Sequence, residues 1–326
     1  MIRIELDEIT KREIEQRVLE DAKSAPTGLF RVLKDPKIEL KLRTYYPKLY
    51  KGLYDLVTKE PVEEKVARLL TADRQGLEQY ISEFGEYDPN IKQKRKESDY
   101  LLEHVFRYAT YANRKVVPTI LQKMDVPVCP YCNRQFTFTL AGSGVRPQLD
   151  HFFPKRRYPY LALSLYNMVP SCSICNMAKS SKNIFKDPIL YPFDEELGYD
   201  AQFKIHIDTT GNFVQVMQGQ SDQFELQLDY ASHPKPVAIK NQWEILHLKE
   251  LYSEHRGYVM DILKAKYVNT PKRISEIRRM FPQLFHSDWE VKSMMYMTDI
   301  RKESWGKRPL AKLTHDIDQY MEQGAI

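Results

Sequence analysis

The chain has 326 residues, with 49 Lys or Arg against 44 Asp or Glu, a formal net charge of +5, 42% hydrophobic and 12% aromatic residues, and a mean hydropathy of −0.54. At about 100 to 200 residues per domain this length predicts two or three domains, and the composition excludes a disordered or fibrous chain. No run of 18 apolar residues offers a membrane helix, and residues 1–8 lack the apolar core and cleavage site of a secretion signal, so a cytoplasmic protein is expected.

In chain order, residues 1 to 125 read as helical. Ile14, Val18, Leu19 and Ala22 share one face, Val66, Leu69 and Leu70 another, and Leu77, Tyr80 and Ile81 a third. The basic stretch Lys92 to Lys96, after Asp88-Pro89-Asn90, reads as a solvated loop. An amphipathic helix follows over Asp99 to Lys115, carrying Tyr100, Leu101, Val105, Tyr108, Ala109 and Ala112. Val116-Val117-Pro118 and Val126-Pro127 predict a hinge into the next segment. Nowhere do the 12 glycines form G-x-G-x-x-G or G-x-x-x-x-G-K-[ST], so any nucleotide hydrolysis would fall to a partner.

All four cysteines lie in the middle of the chain, as Cys129-Pro-Tyr-Cys132 and Cys172-Ser-Ile-Cys175. In a reducing compartment, two C-x-x-C pairs with nothing left over predict one tetrahedral Zn²⁺ site with thiolates about 2.3 Å from the ion, closed and structural. The alternatives are redox pairs or plain buried thiols, and no βαβ pattern flanks either pair. Between the pairs, residues 149–155 form a short β-like run ending near Pro154 and containing Asp150-His151. Asn167 starts a second strand, and Asn176 opens a helix with Lys179 on the same face. Residues 129–190 hold eight basic and two acidic residues, a net of +6, which leaves −1 for everything else. An excess concentrated there is what phosphate binding requires.

Asp150-His151, Asn167 and Cys172-Ser-Ile-Cys175-Asn176-x-x-Lys179 resemble the HNH (ββα-metal, His-Me finger) endonuclease superfamily, in its version stapled by four cysteines. The resemblance covers residues 126 to 190. More narrowly, His-Phe-Phe-Pro-Lys, Asn-Met-Val-Pro-Ser-Cys and Cys-Asn-Met-Ala-Lys are similar to the HNH subunits of Septu-type anti-phage systems, which work beside an ATPase subunit. The resemblance implies His151 as general base, Asn167 as the residue that orients it, and Asp150 with Asn176 as oxygen ligands for a catalytic Mg²⁺ or Mn²⁺. Because Asp150 and His151 are neighbours in a strand, both serve one site only if the strand ends or kinks there. Asn176 departs from the family name, whose third letter would be His. Lys155, Arg156, Arg157, Lys179 and Lys182 are assigned to nucleic-acid backbone contacts.

After Pro188 and Pro192, residues 203–208 and 213–217 alternate with period two around Thr210-Gly211-Asn212, which predicts a β-hairpin, with a further strand at Phe224 to Leu228. Asn241 to Lys266 reads as one helix, in which His247 and His255 are packing residues rather than ligands. Trp289 to Ile326 reads as helical with a break at Lys307-Arg308-Pro309.

The expectation is an α+β, mostly helical protein with a helical region over 1–125, a zinc-stapled ββα module over 126–190 inserted mid-chain, and a hairpin and helical region over 191–326. As the resemblance implies, it would be a metal-dependent endonuclease on DNA, an effector of phage defence regulated by a partner ATPase. One such centre cuts one strand, so double-strand cleavage would need two copies or sequential nicking. The alternatives are an RNA- or modified-DNA-specific nuclease, or a non-catalytic zinc-ribbon binding or scaffold protein.

Overall fold

The structure is a computed structural model and describes residues 1–140, 142–207 and 212–322. The fold is α+β and mostly helical, with two two-stranded antiparallel sheets among the described residues. No helix of the described residues is long and apolar enough to cross a membrane. The chain divides into two compact units, one of residues 4–126 and 137–193 and one of residues 1–3, 127–136 and 194–326. The first cysteine pair thus goes with the C-terminal region, whereas Asp150 to Lys179 goes with the N-terminal helices.

In the first of these units the helices are α1 (Glu8–Ser24), α2 (Leu29–Leu33), α3 (Pro36–Tyr45), α4 (Pro47–Leu53), α5 (Glu63–Leu70), α6 (Arg74–Phe84), α7 (Lys92–Tyr100), α8 (Tyr108–Ala112) and α9 (Val116–Met124). Side-chain caps start several of them: Asp7 accepts from the Thr10 amide, Asp35 from Lys37 with Pro36 in the first turn, and Asp73 from Gly76. Ile14, Val18, Val66, Leu69, Leu77 and Ile81 are buried as their spacing predicts.

Three expectations fail here, each for a local reason. The Lys92 to Lys96 stretch is the start of helix α7, whose buried Ser98 donates to the Arg156 carbonyl at 2.8 Å. A tertiary anchor holds the segment helical where charge alone would favour a solvated loop. The helix expected over Asp99 to Lys115 is broken: a π turn spans Leu101–Val105 and Arg107 takes φ +49 before α8 begins. Pro118 does not mark a hinge, because it falls in the first turn of α9, where its missing N–H costs nothing.

Strand β1 (Gln148–His151) pairs with β2 (Met168–Ser171), placing Asp150 opposite Val169 and His151 opposite Met168. Helix α10 (Ser173–Lys179) follows. It opens three residues before Asn176 because the Cys172 sulfur accepts from the Cys175 amide at 3.5 Å and serves as the cap. The connection between the strands is tied to the helices at several points. Tyr160 donates to the Gly85 carbonyl at 2.8 Å, Ser164 to that of Leu69 at 2.7 Å, and the Tyr87 amide to that of Arg157 at 2.8 Å. The N-terminal helices are therefore the bed on which this loop rests.

In the other unit β3 (Gln202–His206) pairs with β4 (Glu225–Asp229), with alternate residues Phe203, Ile205, Leu226 and Leu228 buried. Residues 213–217, expected to be the partner strand, are instead helix α11 (Phe213–Met217), because adjacent Val216 and Met217 are both buried, which a strand with one wet face does not allow. The Thr210-Gly211 part of the expected turn lies outside the described residues. The helix expected over Asn241 to Lys266 is three helices, α12 (Pro236–Ile245), α13 (Leu248–Ser253) and α14 (Arg256–Val268). It breaks at His247, which is exposed at φ +52, and again at His255, so packing describes His255 but not His247. Helices α15 (Pro271–Met280), α16 (Asp288–Met295) and α17 (Ala311–Glu322) complete the unit; the break expected at Lys307-Arg308-Pro309 is much wider, covering residues 296–310 with only a 3-10 turn at Lys302–Ser304. The first cysteine turn is fastened within this unit: Tyr252 Oη donates to the Cys132 carbonyl at 2.5 Å and Asn133 Nδ2 to that of Trp305 at 2.8 Å.

Candidate metal centre and nucleophile-activating pocket

Cys129, Cys132, Cys172 and Cys175 are buried, and their sulfurs lie within 4.8 Å of one another. Thiolates held about 2.3 Å from one tetrahedral ion stand about 3.8 Å apart, so the four sulfurs fit a single metal ion such as zinc.

The residues singled out beside the cysteines are gathered by β1, β2 and α10. A cavity of about 340 Å³ is lined by Asp150, His151, Lys155, Arg156, Asn176 and Met177 among others. Two neighbours in a strand reach one cavity because β1 ends at His151 and the chain turns, the Arg157 and Tyr158 amides both bonding to the Pro154 carbonyl at 2.9 Å. Asp150 and His151 are 3% and 4% exposed, an unusual depth for two polar side chains side by side.

His151 Nε2 lies 3.0 Å from the Ala162 carbonyl. A carbonyl only accepts, so Nε2 carries the proton and the lone pair is on Nδ1. Burial, then the charges of Lys155 and Lys179, hold the imidazole well below its ordinary pKa, against the opposing pull of the Ala162 hydrogen bond. The ring is therefore neutral near pH 7. The Tyr108 ring meets it edge-on, with centroids 4.5 Å apart and planes at 73°.

Asn167 does not hold the imidazole directly. Fully buried, it accepts from the Phe153 amide at 2.8 Å and donates to the carbonyls of Phe153 and Leu161 at 3.1 Å each, while its own carbonyl accepts from Phe152 at 2.8 Å. It closes the loop that presents the Ala162 carbonyl, so its influence on His151 passes through the backbone.

Lys179 also differs from its expected place. It is 0% exposed, and its ammonium sits 3.1 and 3.0 Å from the two Asp150 oxygens and 2.5 Å from the His151 carbonyl. Burial pulls its pKa down and Asp150 pulls it back up. The ammonium fastens the end of α10 to the end of β1 and lies too deep for a nucleic-acid backbone to reach. Asn176 gives its Nδ2 to Gln148 Oε1 at 2.5 Å, which leaves its oxygen as an acceptor at the cavity. With Asp150 it supplies hard oxygen donors of the kind Mg²⁺ or Mn²⁺ prefers.

Of the remaining basic residues, Lys155 and Arg156 line the cavity, whereas Arg157 is ion-paired with Glu86 and donates to the Ser181 carbonyl at 2.7 Å. Lys182 is exposed beyond α10 and is not among the cavity-lining residues. Tyr108 and the Ala162 carbonyl were missed in the sequence. Tyr108 matched the apolar face of an expected helix, and a backbone carbonyl has no residue signature.

The chain is similar to the Septu protein PtuB of Bacillus thuringiensis, with 24% identity over 173 residues, 53% of this chain and 56% of that protein. It spans about half the length of the curated relative it matches. No family model and no solved structure matches the chain.

Proposed function

We propose that this chain is a metal-dependent HNH endonuclease that hydrolyses phosphodiester bonds of DNA, serving anti-phage defence beside a partner ATPase, with zinc in the four-cysteine cluster as a structural ion. The observation that carries the activity is the state of His151, a neutral imidazole with its proton fixed on Nε2 by a backbone carbonyl, sharing a cavity with Asp150 and Asn176. The similarity to the Septu protein supports the defence setting.

In this mechanism His151 Nδ1 takes a proton from the attacking water, and the resulting imidazolium is steadied by the Ala162 carbonyl. Asn167 keeps that carbonyl in place. Asp150 and Asn176 would hold Mg²⁺ or Mn²⁺, which when bound supplies charge stabilisation at the phosphate and the leaving oxygen. Lys179 holds Asp150 in one orientation.

The test is plasmid cleavage by the purified chain, alone and with a candidate ATPase partner, with Mg²⁺ or Mn²⁺ and with EDTA. His151→Ala is expected to cut at least about 10²-fold more slowly while still folded at the assay temperature, as read by circular dichroism. Equal cutting by the variant, or no cutting of DNA by wild type under either condition, would overturn the proposal, and cutting of tRNA or methylated DNA alone would move the substrate to that class.

A further inference from the structure

The basic residues around the Asp150–His151 cavity divide by what already neutralises them. Lys179 is held by Asp150; Arg157 and Lys186 are both held by Glu86. Lys155 and Arg156 both line the cavity with no carboxylate within 4.0 Å among the described residues, but Arg156 is exposed to water whereas Lys155 is half-buried. Its ammonium instead lies 4.7 Å from the centre of the Tyr108 ring, the same ring whose edge meets His151. Tyr108 thus positions a base and a cation at once: the ring face attracts the ammonium and removes much of the freedom a lysine otherwise has. A half-buried ammonium with no carboxylate in contact is costly, and an anion entering the cavity relieves that cost. Burial holds the Lys155 pKa below its ordinary value, with Asp150 opposing, in keeping with a poorly hydrated charge.

Resting on the phosphodiesterase proposal above, we infer that Lys155 is a catalytic residue that donates a hydrogen bond to a non-bridging oxygen of the scissile phosphate, an interaction that strengthens as charge builds there. As the bond from the water oxygen to phosphorus forms, the bond from phosphorus to the 3′-oxygen breaks. The water proton goes to His151 Nδ1, the leaving oxygen takes a proton from solvent, and Lys155 keeps its own. A group that strengthens only on the way to the transition state acts on kcat, whereas a docking charge acts on affinity. That distinction separates Lys155 from the surface lysines.

The experiment compares wild type, Lys155→Met, Lys155→Arg and Tyr108→Leu on a fluorescent duplex oligonucleotide. It measures kcat and KM with Mn²⁺, affinity in EDTA, and protection of Lys155 from an amine-acetylating reagent by a single-stranded oligonucleotide, mapped by mass spectrometry. Lys155→Met is expected to lower kcat about 10²-fold with affinity changed less than about threefold. Lys155→Arg is expected to recover part of that loss, and Tyr108→Leu to lie between. A fall in affinity with kcat retained would overturn the inference, as would unchanged kinetics while His151→Ala is inactive; the latter leaves the nuclease proposal standing. If wild type cuts nothing, the nuclease proposal fails, and the protection assay decides whether Lys155 contacts phosphate. Its acetylation rate is expected to fall at least fivefold, and an unchanged rate would overturn the contact.

Discussion

Each unit contains an antiparallel strand pair, β1–β2 of four residues per strand and β3–β4 of five, and the two solve opposite problems. In β3–β4 buried and wetter residues alternate along both strands, and the Lys204–Asp229 ion pair lies on the wet side with side chains 44% and 45% exposed. In β1–β2 seven of eight residues are buried, including Asp150, His151 and Ser171. Its aspartate is also paired with a lysine, but at 3% and 0% exposure. The same pair of residue types is decoration in one sheet and architecture in the other. A strand pair that buries its polar groups against the usual rule is the place where the proposed chemistry would have to outweigh packing.

The sharpest way to break this contrast is to make one change at both ion pairs. Lys179→Met leaves a buried carboxylate and the His151 carbonyl without their donor, and is expected to destabilise by about 3–5 kcal/mol. Lys204→Met, at the exposed pair, is expected to cost no more than about 1 kcal/mol. Urea melts of both variants check this, and equal losses would erase the distinction. A smaller effect is expected in the loop that joins β1 to β2: Asn167→Ala strands the Phe153 amide and two carbonyls, for about 2–3 kcal/mol.

The last effect is a matter of pH. His151 has a folded pKa depressed well below its ordinary value of 6.5, so below that pH the unfolded chain binds a proton that the native chain does not. Its contribution to stability is complete above about pH 6.5 and is lost as pH falls toward the folded pKa, at up to about 1.4 kcal/mol per pH unit. Melts of wild type and His151→Gln between pH 7.5 and 5 are expected to diverge only below about 6.5, and parallel curves would show that His151 titrates normally.

The two sheets also show what a sequence displays and what it hides. Phe203, Ile205, Leu226 and Leu228 announce their strands by alternation, and only the choice of partner was missed, because a five-residue helix can imitate a strand pattern. The four cysteines announced their cluster through spacing alone. At the pocket, residue types were legible but geometry was not. Asp150, His151 and Asn176 line one cavity, while Asn167 grips the Phe153 amide fourteen residues before it and acts through the Ala162 carbonyl, and Lys179 has turned inward. Charge counting could not separate Lys179 and Arg157 from Lys155, because all contribute equally to a sum and differ only in what faces them.

The π turn at Leu101–Val105, closed by the Phe106 amide on the Leu101 carbonyl at 2.8 Å, has a consequence of phase. Each residue of an α-helix advances the angular position of its successors by about 100°, and a π turn accommodates one residue more than the regular spiral would. The azimuth at which Tyr108 meets His151 therefore depends on this extra residue together with the left-handed turn at Arg107 that follows it. Insertions and deletions there, far more than substitutions, would act as the tuning dial of the pocket.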